Sequence, residues 1–307
     1  MLNVNRRQLL GGAAVAAAAV SLPKSSYAAA KNSFEISLAQ WSLNRQFFGR
    51  KGADKLDPID FAVIAKKECG ISAIEYVNQF YMDAVKKPGY LSELKKRADG
   101  EGVKSLLIMC DREGNLGDPN TKSRITAVRN HIKWLEWAAE LGCHSIRVNA
   151  ASDRKLPYGE QQELAADGLR RLCEIGDTYG LNVIVENHGG LSSHGRWLRE
   201  VMEMVDHPRV GTLPDFGNFF IQRGKDERQY DRYLGVEELM PFAKGVSAKS
   251  HEFDDQGNEV HTNFEKMIKI VLAAGFEGYI GIEYEGPTDA WAGIEATKKL
   301  LEKVRQA

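Results

Sequence analysis

Three acidic residues each close an apolar stretch of this chain. Glu186 ends the run Leu181-Asn-Val-Ile-Val185 and is followed by Asn187, His188 and two glycines. Asp215 comes after Val210-Gly-Thr-Leu213 and Pro214, and Glu283 after Tyr279-Ile-Gly-Ile282. A short β-branched run reads as a strand buried on both faces of a parallel sheet. Polar groups at its end then lie on the C-terminal edge of the sheet, where α/β folds carry their chemistry. Carboxylates gathered at one edge raise each other's pKa unless a cation neutralises them. An oxygen-rich set with one imidazole suits a single divalent ion, Mn²⁺, Mg²⁺, Co²⁺ or Zn²⁺. The remaining strand ends offer Gln40, Glu75, Asp111, Asn149 and Lys249. Of these groups, Glu75, Asn149, His188 and Lys249 are the candidates for holding a substrate. Trp41, Tyr76, Phe219 and Phe220 could wall a pocket with aromatic faces, or be plain core.

Positioning these residues requires a regular framework, and the chain shows one. Strand patterns begin near Phe34, Ile71, Val103, His144, Leu181, Val210, Gly245 and Tyr279, and helical patterns separate them. Asp57-Pro58 reads as a helix start, with Asp57 as N-cap, and Gly70 as a stop. The helix from about Lys122 to Leu141 carries an expected buried stripe at Ile125, Val128, Ile132, Leu135 and Ala139. A loop rich in Gly, Asp and Asn is expected from Asp111 to Asn120. Eight strand–helix pairs match a (β/α)8 barrel, whose usual size is ~250 residues. A doubly wound open sheet is the runner-up, weakened by the lack of a Gly-rich phosphate loop after the first strand.

Three of the site motifs carry a family resemblance. Ile184-Val-Glu-Asn187, Leu213-Pro-Asp-Phe-Gly-Asn218 and Gly281-Ile-Glu-Tyr284 resemble the metal-ligand strand ends of the sugar isomerase/epimerase superfamily. These xylose isomerase-like barrels include sugar phosphate isomerases/epimerases, ketose 3-epimerases, inosose dehydratases and apurinic endonucleases. The resemblance runs the length of the chain after residue 30. It implies a TIM barrel holding one divalent metal, with Glu186, Asp215, Glu283 and a histidine as ligands, and with Glu186 and Glu283 also moving the proton. The superfamily's usual His-x-Lys on strand seven is here Val246-Ser-Ala-Lys-Ser250. Ser247 therefore stands in the histidine's place, and His251 is either its replacement as a ligand or an exposed loop residue. Asn218 stands where the epimerase branch commonly has a substrate-contacting histidine.

The implied activity is a metal-dependent isomerase or epimerase acting on a sugar or keto-sugar derivative. One of Glu186 and Glu283 would take the proton next to a carbonyl, and the other would return it through an enediolate. A lyase or dehydratase acting on a keto-sugar or glycoside would share that first step. A non-catalytic sugar-binding barrel is the alternative that Ser247 suggests.

Composition narrows the partners. Of 307 residues, 41 are Lys or Arg and 42 are Asp or Glu. A net charge of −1 shows no basic excess for nucleic acid. Asn5-Arg6-Arg7-Gln8, an apolar run from Gly11 to Leu22, and Ala28-Ala29-Ala30 read as a twin-arginine export signal over residues 1–30. The run is shorter than the ~20 residues a membrane span needs. Losing its three basic residues and no acidic ones, from totals of 41 and 42, leaves a net of −4. A periplasmic single-domain barrel over residues 31–307 is expected, free of the membrane and acting on a small carbohydrate. The sequence does not specify an oligomeric state. Cys69, Cys110, Cys143 and Cys173 lie apart in or beside apolar segments, as buried thiols would.

Overall fold

A computed structural model describes residues 34–306 other than Lys51, and the signal-like segment 1–30 lies outside these described residues. Eight strands form the central sheet: β1 Glu35–Ala39, β2 Ala73–Val77, β3 Lys104–Met109, β4 Ser145–Val148, β5 Asn182–Glu186, β6 Val210–Leu213, β7 Val246–Ser250 and β8 Tyr279–Tyr284. All neighbours are parallel, in the order β6-β5-β4-β3-β2-β1-β8-β7. The two ends of that order meet. Thr212 bridges Ala243 and Asp215 bridges Ser247. At this seam the Ser247 amide donates to the Pro214 carbonyl (2.9 Å) and the Phe216 amide to the Ser247 carbonyl (3.1 Å). The sheet is closed, and helices between successive strands cover its outside, as in a (β/α)8 barrel.

The helices begin and end where their local chemistry dictates. Asp57 accepts from the Ile59 amide ahead of a 3-10 turn at Pro58–Asp60, which runs into the helix Phe61–Lys67. Asn120 caps Thr121–Leu141, which stops at left-handed Gly142. That helix is rotated from the expected stripe. It buries Arg124, Ala127, Val128, His131, Trp134, Leu135, Trp137 and Ala138, whereas Ile125 and Ile132 are half-buried and Ala139 is exposed. Two tryptophans supply the largest apolar area on the helix and turn that face inward. Arg124 goes in with them because Asp167 neutralises it at 2.6 Å. One element had no expectation attached. Phe220–Gln222 and Arg228–Gln229 form a short antiparallel ribbon.

Two apolar layers hold the barrel. A large one lies between sheet and helices, and a small one fills the lumen with Ala39, Val77, Leu107, Met109, Ile184 and Leu213. Side chains on a strand alternate, so residues two apart share a side. Ile184 in the lumen therefore puts Glu186 on the lumen side one step nearer the mouth, and Leu213 does the same for Asp215. All four cysteines are buried and unpaired. Among the described residues no helix is long and apolar enough to cross a membrane.

Candidate active site

Glu186, Asp215 and Glu283 meet at the C-terminal mouth of the barrel. One carboxylate oxygen from each lies within 4.8 Å of the others. All three are buried, at 0, 0 and 2 % exposure, so water does little to relieve their mutual repulsion. Asn187 fixes the spacing of the first two. Its Oδ1 accepts from the Asp215 amide (2.7 Å) and its Nδ2 donates to the Asp215 carbonyl (3.0 Å). Asp215 Oδ1 is turned by the amides of Gly217 and Asn218, both at 2.8 Å, and its Oδ2 accepts from Ser247 Oγ at 2.8 Å. The same hydroxyl lies 3.4 Å from Glu283 Oε2. Asn218 Nδ2 donates to Glu186 Oε1 at 2.9 Å.

Two buried cations answer part of this charge. Arg147 places Nη2 2.7 Å from Glu186 Oε2 and Nη1 3.0 Å from Asp111 Oδ1. Lys249 Nζ lies 2.9 Å from Glu283, 2.9 Å from Glu285 and 3.8 Å from Asp215. Six carboxylates, including the deeper Glu75, thus face two cations. Burial pushes Glu186 up to about 7, with Arg147 opposing and Glu283 reinforcing the shift. Burial likewise carries Asp215 to about 7 against the pull of Lys249. Glu75 rises to about 7 from burial, partly offset by its hydrogen bond from Ser37. Glu285 behaves oppositely: burial works against its charge, but Lys249 and the Trp41 indole outweigh it and hold the group at about 2. Lys249 is held well above its usual range because the carboxylates overcome the cost of its burial.

The other residues singled out from sequence are distributed around this set. Lys249 is inside it. Asn149 lies beside it and donates to Asp111 at 2.8 Å. Glu75 stands mid-strand in β2 rather than at its end, because β2 continues to Val77. Its carboxylate packs where Gly281 has no side chain; a Cβ there would come within 2.4 Å of Glu75 Oε1. His188 is exposed at the rim, where its amide donates to Ser192 Oγ. His251 is not brought into the carboxylate set. Its ring meets His261 edge-on at 5.9 Å, and Ser247 Oγ is the polar atom between Asp215 and Glu283.

Arg147 is a member of the network that the strand ends do not reveal. It sits in the middle of a four-residue buried strand, and an unneutralised charge in such a run was the available signal. Glu285 lies one residue beyond the end of β8. The strand's alternation carries through 281, 283 and 285, and the Glu285 amide still donates to the Ser250 carbonyl at 2.9 Å. A larger cavity, about 680 Å³, lies between the helices Arg232–Leu239 and Phe264–Ala273 and contains none of this chemistry.

Residues 63–306 match the family described as xylose isomerase-like TIM barrel. The chain belongs to that family. Among curated relatives, a Danio rerio protein named "Putative hydroxypyruvate isomerase" is 24 % identical over 226 residues, covering 68 % of this chain and 80 % of the relative. Two solved structures share the barrel. A D-tagatose 3-epimerase-like protein superposes with a TM-score of 0.66 at 21 % identity, over 89 % of this chain and 98 % of its own. A xylose isomerase-like TIM barrel protein from Mycobacterium smegmatis, solved in complex with magnesium, gives 0.66 at 15 % identity, over 90 % and 98 %.

The residues of this xylose isomerase-like barrel fit a divalent cation. Three carboxylate oxygens and the Ser247 hydroxyl form an all-oxygen donor set, which suits a hard ion such as Mg²⁺ or Mn²⁺. The excess of carboxylate over ammonium and guanidinium supplies the electrostatic reason. A pH dependence follows. Glu186 and Asp215 titrate near 7 when folded and near ~4 when unfolded, so the folded chain binds more protons in between. This contribution to metal-free stability is complete at the acid end and is lost as pH rises through about 7. A cation competes with those protons, so its affinity should climb over the same window, about tenfold per pH unit for each proton displaced. Melting temperatures with and without Mn²⁺ from pH 5 to 8 check this. A cation-induced gain that stays flat between pH 5 and 7 contradicts it.

Proposed function

We propose that this protein is a divalent-metal-dependent isomerase or epimerase of a sugar or keto-sugar derivative, with Glu186 and Glu283 as the proton-transferring pair. The observation that carries the reading is the meeting of these two buried glutamates with Asp215 around one point at the barrel mouth. Glu186, Asp215 and Glu283, with Ser247, would hold the metal. When bound, that ion supplies positive charge to the oxygens of an enediolate. The chain's own residues account for the rest. Glu186, fully buried beside the point where the carboxylates meet, would take and return the substrate proton. Asn218 and Arg147 hold its two oxygens and so aim it. Lys249 keeps its proton and stabilises negative charge beside Glu283. Trp41 and Phe80, stacked at 6.2 Å, offer an apolar wall that would limit water at the mouth.

The direct test is solvent exchange. With Mn²⁺ and a ketose or 3-keto-glycoside, the carbon next to the carbonyl should take up solvent deuterium. Metal analysis of protein purified without chelator separates this reading from a sugar-binding barrel that lacks an ion, the alternative Ser247 suggests.

We further propose export by the twin-arginine route, with residues 1–30 removed and residues 31–307 forming the mature barrel. The support is Asn5-Arg6-Arg7-Gln8 ahead of a short apolar run. Fractionation of the producing cell should find the mature chain in the periplasm, starting near residue 31, and Arg6→Lys, Arg7→Lys should retain it uncleaved. Normal export of that variant would dismiss the route.

A further inference from the structure

Beside the carboxylate set lies a second feature of opposite sign. A cavity of about 370 Å³ is lined by Arg154, His188, Asn218, Phe220 and Arg223, among others. It shares a wall with the site, because Asn218 lines it and donates to Glu186 at 2.9 Å. Neither Arg154 nor Arg223 has an ion pair or hydrogen bond among the described residues. Both are nevertheless seated. The Arg154 guanidinium lies over Gly189-Gly190, whose left-handed φ values of 78° and 63° suit glycine. A Cβ at Gly190 would come within 3.5 Å of Arg154 Nε. Arg223 stacks on Phe220, 3.8 Å from ring centre to guanidinium carbon. Two acids nearby in the chain have partners of their own. Asp153 accepts from the Lys155 amide, and Glu227 from Gln229 Nε2.

Two guanidiniums held by backbone and by an aromatic face keep their N–H groups free for a ligand. A guanidinium fork matches the paired oxygens of a carboxylate or phosphate better than any neutral hydroxyl. The inner set has the reverse character, so an anionic group would be repelled from the carboxylates and drawn to this rim. We propose that Arg154, Arg223 and His188 form a subsite for an anionic group on the substrate, a carboxylate or a phosphate, so that the reacting sugar is an acidic one. The inference rests on the reading of the mouth as a sugar site, and it adds the orientation. The charged end lies over Gly189-Gly190, and the reacting carbons lie towards Glu186.

Binding tests this independently of turnover. Calorimetric titration of the full protein with D-glucuronate, D-glucose and inorganic phosphate should show the anions binding and glucose binding at least tenfold more weakly. Anion affinity should fall with added NaCl. Arg154→Leu and Arg223→Leu should each weaken anion binding by about tenfold or more, and Arg→Lys should restore part of it. Binding of phosphate but not glucuronate supports the subsite and assigns it to a phosphoryl group; the converse assigns it to a carboxylate. The variant Glu186→Gln should still bind the anion, so a failure of the proton-transfer reading leaves this result standing. Equal affinity for glucose and glucuronate, or unchanged anion binding in the Arg154→Leu, Arg223→Leu double variant, overturns the subsite.

Discussion

Replacing Glu186 or Glu283 by glutamine should lower solvent-deuterium exchange of substrate by about 10²-fold or more at saturating Mn²⁺, with the fold intact. Glutamine keeps the size of each side chain, and the cations stay paired. Arg147 retains Asp111 at 3.0 Å when Glu186 loses its charge, and Lys249 retains Glu285 at 2.9 Å when Glu283 does. The two losses should not add fully, since both groups would act on one intermediate. Exchange measured by NMR in D2O, alongside a melting curve, separates lost chemistry from lost structure. Full exchange in the double variant rules the two-glutamate mechanism out.

Lys249→Met should be the most destabilising single change at the mouth. It removes the cation from a buried cluster in which Glu283, Glu285 and Asp215 lie 2.9, 2.9 and 3.8 Å from Nζ. Breaking a buried pair from one side costs about 3–5 kcal/mol, because a charge is left without its partner. For a domain of this size that lowers the melting temperature by about 10 °C. The sign of the metal response distinguishes this from simple loss of packing. Added Mn²⁺ should recover more stability in Lys249→Met than in the unaltered protein, because the ion replaces a missing positive charge. A variant that melts like the parent, or gains no more from Mn²⁺ than the parent does, contradicts this account of the charge balance.

The barrel was legible because its strands are short, apolar and bounded by turns, and because eight of them alternate with helical patterns. The carboxylates were legible for a narrower reason. Glu186 and Asp215 each follow a lumen residue two positions earlier, Ile184 and Leu213, and Glu283 follows Gly281 at the same spacing, which decides the side of the sheet they share. Arg147 and Glu75 were harder, since they lie within strands rather than at their ends, in a layer below the mouth. Only closure of the barrel reveals that a charge at such a depth has partners across the lumen. Glu285 lies past the end of β8, yet the strand's alternation outlasts its ladder and keeps the side chain beside Lys249. The ribbon at 220–229 has no buried face, so no periodicity marks it. Of the two readings of His251, the structure matches the loop one, since its ring turns to His261.

The seam between β6 and β7 gives the site an unusual freedom to diverge. Ser247 joins the two strands through its own amide and carbonyl, at 2.9 and 3.1 Å, while its hydroxyl alone reaches Asp215 and Glu283. Main-chain atoms are the same in every residue type but proline. Position 247 can therefore exchange one side chain for another without reopening the barrel, and the donor offered to the mouth can change over descent while the architecture is inherited whole. A serine where the superfamily usually carries histidine is the kind of substitution such a division of labour permits.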